Sequence, residues 1–206
     1  GRWVYGQNQN EIYVNFFTDC DYVREDLELN MRTKYPWGDR VIIHVKSARN
    51  LNLRIRIPSW CKNPTVNGYS VAPGTYYGLM VNTGDTVELH LPMQARLMQA
   101  NPNVEQDRGM LSVVRGPVVY CAEGVDNDCR LDDLYIDPAA PITERFEEDL
   151  LGGVVTLTVP AKCRRQKDSL YYELLTEERD ASLKMIPYYA WANREESDMS
   201  VWFPKA

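Results

Sequence analysis

The stretch Leu51-Asn-Leu-Arg-Ile-Arg-Ile57 has an apolar side chain at every second position and a polar side chain at each position between. Successive side chains of a β-strand point to opposite faces, so this alternation is the pattern of a strand with one buried and one solvated face. The same alternation recurs at Val87–Leu91 and at Val155–Val159. It predicts that the chain is built from half-buried antiparallel strands.

Short turn motifs separate the predicted strands at frequent intervals. Asn67-Gly68 is the strongest hairpin signal, because both residues tolerate the positive φ angles of a type I′ turn. Ser169–Arg179 is the only segment with helical character, and it is equally compatible with a strand and a turn. This pattern predicts an all-β fold of two antiparallel β-sandwich domains, jelly-roll or immunoglobulin-like, with little helix. The further predicted strands are Glu11–Phe17, Glu28–Thr33, Val41–Lys46, Gly109–Val114, Val118–Ala122, Ser182–Ala190 and Met199–Phe203.

The polar, proline-containing stretch Ala100–Arg108 is the best candidate for a domain boundary. It lies near the middle of the 206 residues, and about 100 residues on each side is an ordinary size for one sandwich. We therefore predict β-sandwich domain I over 1–102 and β-sandwich domain II over 103–206. One larger sandwich is the alternative, because the predicted strand Val118–Ala122 is able to pair with either half.

The net charge of −6 argues against a nucleic-acid partner, because phosphate binding requires a basic surface. The one basic cluster, Lys162–Lys167, is short and has acidic residues nearby, so it is interpreted as a solvated surface turn. No apolar run approaches the roughly 20 residues that cross a bilayer, so no membrane partner is predicted. The chain begins Gly1-Arg2-Trp3 without an initiator methionine, so we expect a fragment of a longer protein.

The five cysteines, at positions 20, 61, 121, 129 and 163, match no zinc or redox motif. Cys61 and Cys121 lie in apolar strand contexts, where a cysteine usually serves as a small buried hydrophobic residue. Buried thiols are therefore favoured over a disulfide or a metal site. Cys129, within Asp126-Asn-Asp-Cys-Arg130, is predicted to be the most exposed of the five.

The histidines and the acidic residues form no recognisable catalytic pattern. His44 is interpreted as a core or edge residue with satisfied hydrogen bonds, and His90 as solvent-facing. A glycosidase site on a sandwich needs two facing carboxyl groups, but neighbouring acidic residues in loops are usually solvated. The candidate pairs are Asp19/Asp21, Glu25/Asp26, Asp132/Asp133 and Glu147/Glu148. Asp126-Asn-Asp128 lacks the spacing of an EF-hand calcium loop. No catalytic residue and no metal ligand is predicted.

Aromatic side chains offer a different binding chemistry, because their faces stack on the C–H groups of sugars. Tyr76 and Tyr77, which follow the turn Pro73-Gly74, and Trp37 are the predicted sugar-contact residues, with a structural role as the alternative. The other available aromatic residues are Trp3, Tyr188, Tyr189 and Trp191. The residues predicted to fill the interior or a seam between domains are Trp60 and Trp191.

A series of specific motifs follows one another along the chain. The most specific are Arg115-Gly-Pro117 and Ile186-Pro-Tyr-Tyr-Ala-Trp-Ala-Asn-Arg194. Those before them are Glu11-Ile-Tyr-Val-Asn-Phe-Phe17, Tyr35-Pro-Trp37, Leu91-Pro-Met93 and Ala100-Asn-Pro102. In this order and spacing, the motifs resemble the C-terminal β-sandwich region of glycoside hydrolase family 127, the bacterial β-L-arabinofuranosidase-like proteins also grouped as DUF1680.

The resemblance implies an (α/α)6 barrel followed by two β-sandwich domains, and release of β-L-arabinofuranose with retention of configuration. It also implies a zinc ion in the barrel, held by a glutamate and three cysteines of which one is the nucleophile, with a second glutamate as acid/base. Two of those cysteines are adjacent in the family, whereas Cys20 stands alone in Asp19-Cys-Asp21. No catalytic residue is therefore carried over. Zinc is expected in the missing catalytic domain, and no cofactor in this fragment.

These inferences predict a non-catalytic C-terminal region of a glycoside hydrolase that acts on arabinose-containing glycans. Its expected partner is its own catalytic barrel, with carbohydrate and a second copy in a homodimer as further partners. A carbohydrate-binding β-sandwich module is the alternative function, and an autonomous hydrolase is a third. The compartment, bacterial periplasm or cytoplasm, stays open.

Overall fold

The computed structural model of the chain describes residues 3–8, 11–165, 167, 169–173 and 177–206. The chain divides into two compact units, Gly1–Met93 and Gln94–Ala206. This boundary differs from the position predicted near residue 102, because the strand Ala95–Gln99 pairs with Met110–Arg115 and so joins the second unit. The polar stretch at 100–108 is therefore a connection inside the second unit.

Strands make up most of the regular structure, and the predicted all-β sandwich fold is confirmed. In the first unit the strands are β1 (Tyr5–Asn8), β2 (Glu11–Val14), β3 (Cys20–Arg24), β4 (Leu27–Thr33), β5 (Arg40–Ser47), β6 (Leu51–Arg56), β7 (Thr65–Val66), β8 (Tyr69–Ser70), β9 (Tyr76–Val81) and β10 (Thr86–His90). In the second unit they are β11 (Ala95–Gln99), β12 (Met110–Arg115), β13 (Val118–Glu123), β14 (Leu134–Ile136), β15 (Thr143–Glu147), β16 (Val154–Cys163), β17 (Arg179–Pro187), β18 (Met199–Ser200) and β19 (Phe203–Pro204). The 3₁₀ turns are Glu105–Asp107, Gly124–Asp126, Leu131–Asp133 and Tyr188–Ala190.

The first unit contains two sheets. One has the strand order β1-β2-β6-β9, and the other has the order β3-β4-β5-β10-β7-β8. Strands β2 and β6 pair in parallel, a departure from the predicted antiparallel pattern. The reason is the connectivity: β3, β4 and β5 lie between β2 and β6 in the chain and belong to the other sheet.

Alternating apolar side chains from both sheets form one core in the first unit. Leu53 and Ile55 of β6 are buried, whereas Arg54 between them faces outward. Val41 and Ile43 of β5 meet them from the other sheet. The period-two pattern of the sequence thus selects the buried face, and each fully buried aliphatic side chain contributes about 1.5–3 kcal/mol.

The hairpin predicted at Asn67-Gly68 is confirmed. Strands β7 and β8 pair across it, and the two turn residues have φ angles of 50° and 80°. The Asn67 side-chain oxygen accepts a hydrogen bond from the Glu88 backbone N–H at 2.8 Å, and the Asn67 backbone N–H donates to the Glu88 carbonyl at 2.8 Å. The turn is therefore also fastened to β10.

Strand β13 is shared by three partners in the second unit. It pairs with β12 at its beginning, with β17 at Tyr120 and Cys121, and with β18 at its end. The sheet continues in the order β17-β16-β14. Strand β15 also pairs with β16, and β19 pairs with β12. Tyr120 is fully buried, and its hydroxyl donates to the Val155 carbonyl at 2.8 Å.

The predicted strand Ser182–Ala190 ends earlier than the sequence pattern indicates. The strand predicted to reach Ala190 ends at Pro187, because a 3₁₀ turn begins at the next residue. Strand alternation therefore stops before Trp191, which is exposed rather than interior, whereas Trp60 packs against the first core. Residues 174–176 of the ambiguous segment Ser169–Arg179 lie outside the described residues. Its described part contains no helix, and β17 begins at Arg179. No helix of the described residues is long and apolar enough to span a membrane.

The cysteine prediction is wrong at Cys129, which is buried and joined to Cys163 by a disulfide. The 3₁₀ turn Leu131–Asp133 directs the chain into β14, whose first residue Leu134 pairs with Cys163. This turn brings two cysteines that are 34 residues apart to a Cα separation of 6.7 Å. Arg179 also donates to the Cys129 sulfur at 2.9 Å.

Removal of the disulfide is expected to destabilise the second unit. In Cys129→Ala/Cys163→Ala the unfolded chain regains the entropy of a 34-residue loop, so the free energy of unfolding should fall by about 3–4 kcal/mol. Urea unfolding measures this change, and Cys20→Ser is the control because Cys20 is a free thiol. Titration of the denatured, unreduced chain should detect the three free thiols of Cys20, Cys61 and Cys121. Reaction of all five cysteines would contradict the pairing.

Candidate functional site

The predicted sugar-contact residues do not share one face. Tyr76 and Tyr77 are consecutive in β9, so their side chains point to opposite sides of the sheet. Tyr77 packs against the first core, whereas Tyr76 is 44% exposed on the outer side. Trp37 is half-buried in the turn between β4 and β5 of the other sheet. A sugar contact by these residues stays a prediction, and among them Tyr76 is best placed for one.

Tyr76 belongs to a polar and aromatic surface on the outside of the four-stranded sheet. We call it the Tyr76 face, and its members are Glu11, Tyr13, Asn15, Asn52, Arg54 and Tyr76. Strand register creates it, because Glu11 lies beside Asn52 and Tyr13 beside Arg54 on neighbouring strands. The Tyr76 hydroxyl donates to the Asn15 side-chain oxygen at 2.7 Å, and its ring stands edge-on to Tyr13 at 5.4 Å.

The Glu11 carboxylate is the centre of the Tyr76 face. It accepts hydrogen bonds from the Tyr13 hydroxyl at 2.6 Å, the Asn52 amide at 2.7 Å and Arg54 Nε at 3.0 Å. The hydrogen bond from Tyr13, followed by that from Arg54, lowers the pKa of Glu11. A glycosidase acid needs a raised pKa so that it carries a proton near neutral pH. Glu11 is therefore suited to organising its neighbours and not to donating a proton.

Gly78 provides the space that the Arg54 side chain occupies. A Cβ atom at Gly78 would lie only 2.6 Å from Arg54 Nη1. A glycine inside a strand often marks such a close approach of another group. The Arg54 side chain therefore passes close to the β9 backbone at Gly78 while its guanidinium is paired with Glu11.

A second polar cluster lies in the second unit around Arg194. We call it the Arg194 network, and its members are Glu123, Asp126, Lys184 and Arg194. Glu123 is only 2% exposed at its side chain, and it forms an ion pair with Arg194. Arg194 also contacts both Asp126 carboxylate oxygens, at 2.6 and 3.0 Å. The Ala192 N–H donates to Glu123 at 2.9 Å. The residues after the Tyr188–Ala190 turn are thereby held against the end of β13.

Arg194 and Asp126 each favour the charged form of the other. The hydrogen bond to Asp126 raises the pKa of Arg194, and the bond to Glu123 adds to this effect. Burial acts to raise the pKa of Asp126, but the hydrogen bond and charge of Arg194 outweigh it, so this pKa lies below its ordinary value. Lys184 Nζ lies 3.7 Å from Asp126 and 3.6 Å from Glu147. These contacts suit a structural anchor for the C-terminal segment.

The free thiols have the chemistry of core residues. Burial raises the pKa of the Cys121 thiol to about 12, and burial also raises the pKa of Cys20. A nucleophilic or metal-binding cysteine needs a lowered pKa, because the thiolate is the reactive form. Among the residues that the structure describes, no group of three or more His, Cys, Asp and Glu side chains is arranged to hold a metal ion.

Both histidines, and one member of each acidic pair, form a polar contact with a different partner. His44 Nδ1 lies 3.1 Å from the Thr86 hydroxyl, and His90 Nε2 lies 2.9 Å from Asp39. One member of each acidic pair contacts its own cation. These contacts are Asp21 with Arg32 at 2.8 Å, Asp26 with Arg24 at 3.1 Å, Asp132 with Arg130 at 3.5 Å, and Glu147 with Lys184 at 3.6 Å. Such contacts are typical of surface ion pairs and not of an acid and a base that face one substrate.

Two family models match consecutive parts of the chain. Residues 11–93 match the model "Beta-L-arabinofuranosidase, GH127 middle domain", and residues 95–204 match "Glycoside hydrolase family 127 C-terminal domain". The chain belongs to glycoside hydrolase family 127. The predicted resemblance to the C-terminal region of this family is thereby confirmed. The two matched regions coincide with the two compact units of the fold.

Similar proteins are β-L-arabinofuranosidases that are about three times as long. The "Non-reducing end beta-L-arabinofuranosidase" of Bifidobacterium longum subsp. longum is 38% identical over 228 aligned residues, which cover 98% of this chain and 34% of the relative. The solved structure of a family 127 β-L-arabinofuranosidase from Geobacillus stearothermophilus T6 matches with a TM-score of 0.86 and 31% identity, over 99% of this chain and 35% of that one. A further family 127 β-arabinofuranosidase structure has a TM-score of 0.85 and 28% identity, over 98% of this chain and 36% of that one. This family 127 chain thus spans about a third of the relatives that it matches.

Sequence reasoning missed both polar clusters of this family 127 chain. Glu11 and Arg54 are 43 residues apart, and Glu123 and Arg194 are 71 residues apart. One signal was available in the sequence: Gly78 interrupts the alternating pattern of β9 at an outward position. Arg194 also ends the motif that carries the family resemblance, which is consistent with its role in fixing the fold.

Loss of the Arg194 charge is expected to destabilise the second unit. Arg194→Met leaves Glu123 buried without its cation, so the free energy of unfolding should fall by about 3 kcal/mol. Glu123→Gln/Arg194→Met should recover part of this loss, because it removes the uncompensated charge as well. Urea unfolding measures both changes. Arg130→Met, which removes an exposed pair, is the control and should change stability by less than about 1 kcal/mol. Equal losses in Arg194→Met and Arg130→Met would contradict the anchoring role.

The Arg194 network should also make stability depend on acid pH. The pKa of Asp126 is lowered in the folded chain, so its contribution is present above the ordinary value of 3.8 and is lost as the pH falls through the folded value. Asp126→Asn should therefore be less stable than the parent at about pH 7, with a difference that shrinks towards about pH 2. Thermal unfolding across this range measures the difference, with the exposed Asp128→Asn as the control. A difference that is constant with pH would contradict the assignment.

Proposed function

We propose that this family 127 chain is the non-catalytic β-sandwich region of a glycoside hydrolase that acts on arabinose-containing glycans. Its proposed role is to support an (α/α)6 catalytic barrel in the same protein. The observation that carries the proposal is the pair of family matches, which assign the chain to the middle and C-terminal domains. The similar β-L-arabinofuranosidases contain about twice as much further sequence, since this chain spans only 34% of the curated relative.

The chemistry of the described residues supports placing catalysis outside this chain. The resemblance implies zinc on one glutamate and three cysteines, and the described part of the chain offers no metal-binding cluster. Cys61 and Cys121 are buried, and Cys20 is half-buried beside the Tyr5 hydroxyl at 3.9 Å. These thiols are separate from one another, and the pKa values of Cys20 and Cys121 are raised by burial, so they do not fit the implied zinc site. We therefore assign zinc to the catalytic domain.

The first unit also offers surface that a neighbouring domain would cover. Trp3 is 84% exposed, and Phe16, Val23 and Met80 are more than half exposed. The Asn15 N–H donates to the Val4 carbonyl at 2.8 Å, so the pairing of β1 with β2 extends to the residues next to Trp3 and Phe16. A domain that covered these side chains would remove their apolar surface from water, which is favourable. A homodimer, predicted from the sequence as a further partner, would bury the same kind of surface.

Sugar binding at the Tyr76 face is the second candidate function. It is favoured by one observation, the outward ring of Tyr76 beside a hydrogen-bonded carboxylate and amide. A stacked ring next to polar side chains is a usual arrangement in sugar recognition. This function does not exclude support of the barrel, because each uses a different property of the first unit.

A turnover assay tests the proposed function. The chain alone, and the chain extended upstream within its own reading frame, are each incubated with p-nitrophenyl β-L-arabinofuranoside. We expect release of p-nitrophenol by the extended protein only, because the catalytic groups lie outside this chain. Zinc chelation should abolish the release.

The same assay contains the result that would overturn the proposal. Turnover by the chain alone, lost in Glu11→Gln or in Asp132→Asn, would establish an autonomous hydrolase. Activity of the extended protein that is unchanged after deletion of residues 1–206 would remove the supporting role. Thermal unfolding of each variant serves as the control for folding.

A further inference from the structure

A groove of about 620 Å³ lies in the second unit. We call it the Tyr188 groove, and the residues used below are Asp132, Tyr135, Tyr188, Ser200 and Trp202. Its volume is within the range of about 300–1,000 Å³ that is usual for small-ligand sites. The groove is formed by β14, the Tyr188–Ala190 turn and the C-terminal strands β18 and β19.

Three aromatic side chains line the Tyr188 groove, and each has a structural reason for its position. Tyr135 alternates in β14 with the buried Leu134 and Ile136, so its ring is directed outward. Tyr188 begins the 3₁₀ turn after β17 and is 43% exposed. Trp202 lies between β18 and β19, where the Ser200 hydroxyl donates to its carbonyl at 2.8 Å. The rings therefore come from three separate elements that converge on one space.

One of these rings is held in place by a cation. The Arg164 guanidinium lies 4.4 Å from the centroid of the Tyr135 ring. Arg164 Nε also donates to Glu178 at 2.9 Å. The guanidinium is therefore held between the Glu178 carboxylate and the Tyr135 ring. A ring that is already ordered loses little conformational entropy when a ligand stacks on it.

The polar ends of the three aromatic residues are available to a ligand. Among the described residues, none forms a hydrogen bond with the Tyr135 hydroxyl, the Tyr188 hydroxyl or the Trp202 indole N–H. By contrast, the buried Tyr120 hydroxyl is bonded to the Val155 carbonyl. The groove thus combines aromatic faces with two hydroxyl groups and one N–H donor that lack partners in the described protein.

Charge around the Tyr188 groove disfavours an anionic ligand. In the described structure its wall contains neither lysine nor arginine, and it contains the exposed Asp132 carboxylate. The nearby Arg130 is paired with Asp132 at 3.5 Å, and Arg164 is paired with Glu178. The chain as a whole has a net charge of −6. A neutral ligand with hydroxyl groups suits this wall, because Asp132 accepts hydrogen bonds.

The main chain beside the groove is already paired, which disfavours an added peptide strand. The Ala206 N–H donates to the Ile136 carbonyl at 2.9 Å, and Lys205 forms a parallel bridge with Ile136. Strand β19 is also paired with β12. Addition of a strand requires a free sheet edge, so recognition in this groove depends on side chains.

We propose that the Tyr188 groove binds a short neutral oligosaccharide. Tyr188 and Trp202 would stack on sugar rings, and Asp132 and the Tyr135 hydroxyl would bond sugar hydroxyl groups. This proposal does not depend on the proposed function, since it concerns the second unit and requires no catalysis. It also differs from sugar binding at the Tyr76 face, which lies in the first unit.

The experiment is a titration of the full 206-residue chain with a panel of trisaccharides. Arabinotriose, xylotriose and cellotriose are the neutral probes, and trigalacturonic acid is the charged probe. Binding is followed by tryptophan fluorescence and by the indole N–H signals in ¹H–¹⁵N NMR spectra. We expect saturable binding of at least one neutral probe, a shifted Trp202 signal, and weaker binding of the charged probe.

Variants locate the binding site. Tyr188→Ala should lower the affinity about tenfold, the change expected for one lost stacking contact, and Tyr188→Phe should retain most of it. Trp202→Ala should act in the same direction. Tyr171→Ala is the matched control and should leave the affinity unchanged, because this tyrosine is 94% exposed and does not line the groove. Tyr188 is exposed, so its substitution leaves the core intact even where Trp202→Ala affects folding.

Three results would overturn the proposal. The first is no saturable binding of any neutral probe up to about 10 mM, a concentration that detects even millimolar affinity. The second is binding that Tyr188→Ala leaves unchanged. The third is binding that Tyr76→Ala abolishes, which would assign the site to the Tyr76 face. None of these results affects the turnover assay, so failure of the groove and failure of the proposed function are distinguishable.

Discussion

Burial of every second side chain is the constraint on which the first unit depends. Strands such as β5 and β6 bury one face against the opposing sheet, and this burial supplies most of the favourable free energy of a sandwich. The outer faces are then free to be polar. On the outside of the four-stranded sheet this freedom allows Glu11, Tyr13 and Arg54 to form a connected surface. The Tyr76 face is thus a consequence of the same alternation that builds the core.

The second unit depends on a different constraint. Its strand β13 pairs with three strands, β12, β17 and β18. The end of β13 lies inside the structure, and it carries the buried carboxylate of Glu123. Burial of an unpaired charge costs several kcal/mol, so Glu123 requires a cationic side chain beside it. Arg194 provides it, and the return of the chain after β17 also brings Tyr188 and Trp202 to the groove. Stability of β13 and the shape of the groove are therefore linked through the C-terminal segment.

The sequence allowed prediction of features that depend on local chemistry. The strand at Leu51–Arg56 and the turn at Asn67-Gly68 follow from alternation and from tolerance of positive φ, both of which are properties of neighbouring residues. The disulfide between Cys129 and Cys163 was not predictable in this way, because it depends on how β14 pairs with the end of β16. The partnership of Glu123 with Arg194 has the same origin. Tyr76 and Tyr77 are consecutive in β9, so period-two alternation itself implies that only one of them faces outward.

The carboxyl groups of this family 127 chain whose pKa is displaced share one property. Among the described residues, each carboxyl group with a displaced pKa, namely Glu11, Asp21, Asp126 and Asp180, has it lowered. Hydrogen bonds from tyrosine, arginine or lysine cause these shifts and keep the groups ionised. Glycoside hydrolysis needs a carboxyl group that holds its proton in an apolar setting, in addition to an ionised one. Ionised carboxylates suit instead the organisation of ring systems and the acceptance of hydrogen bonds from sugar hydroxyl groups. The lowered pKa values of Glu11, Asp21, Asp126 and Asp180 therefore suit these four groups to accepting hydrogen bonds and not to donating a proton.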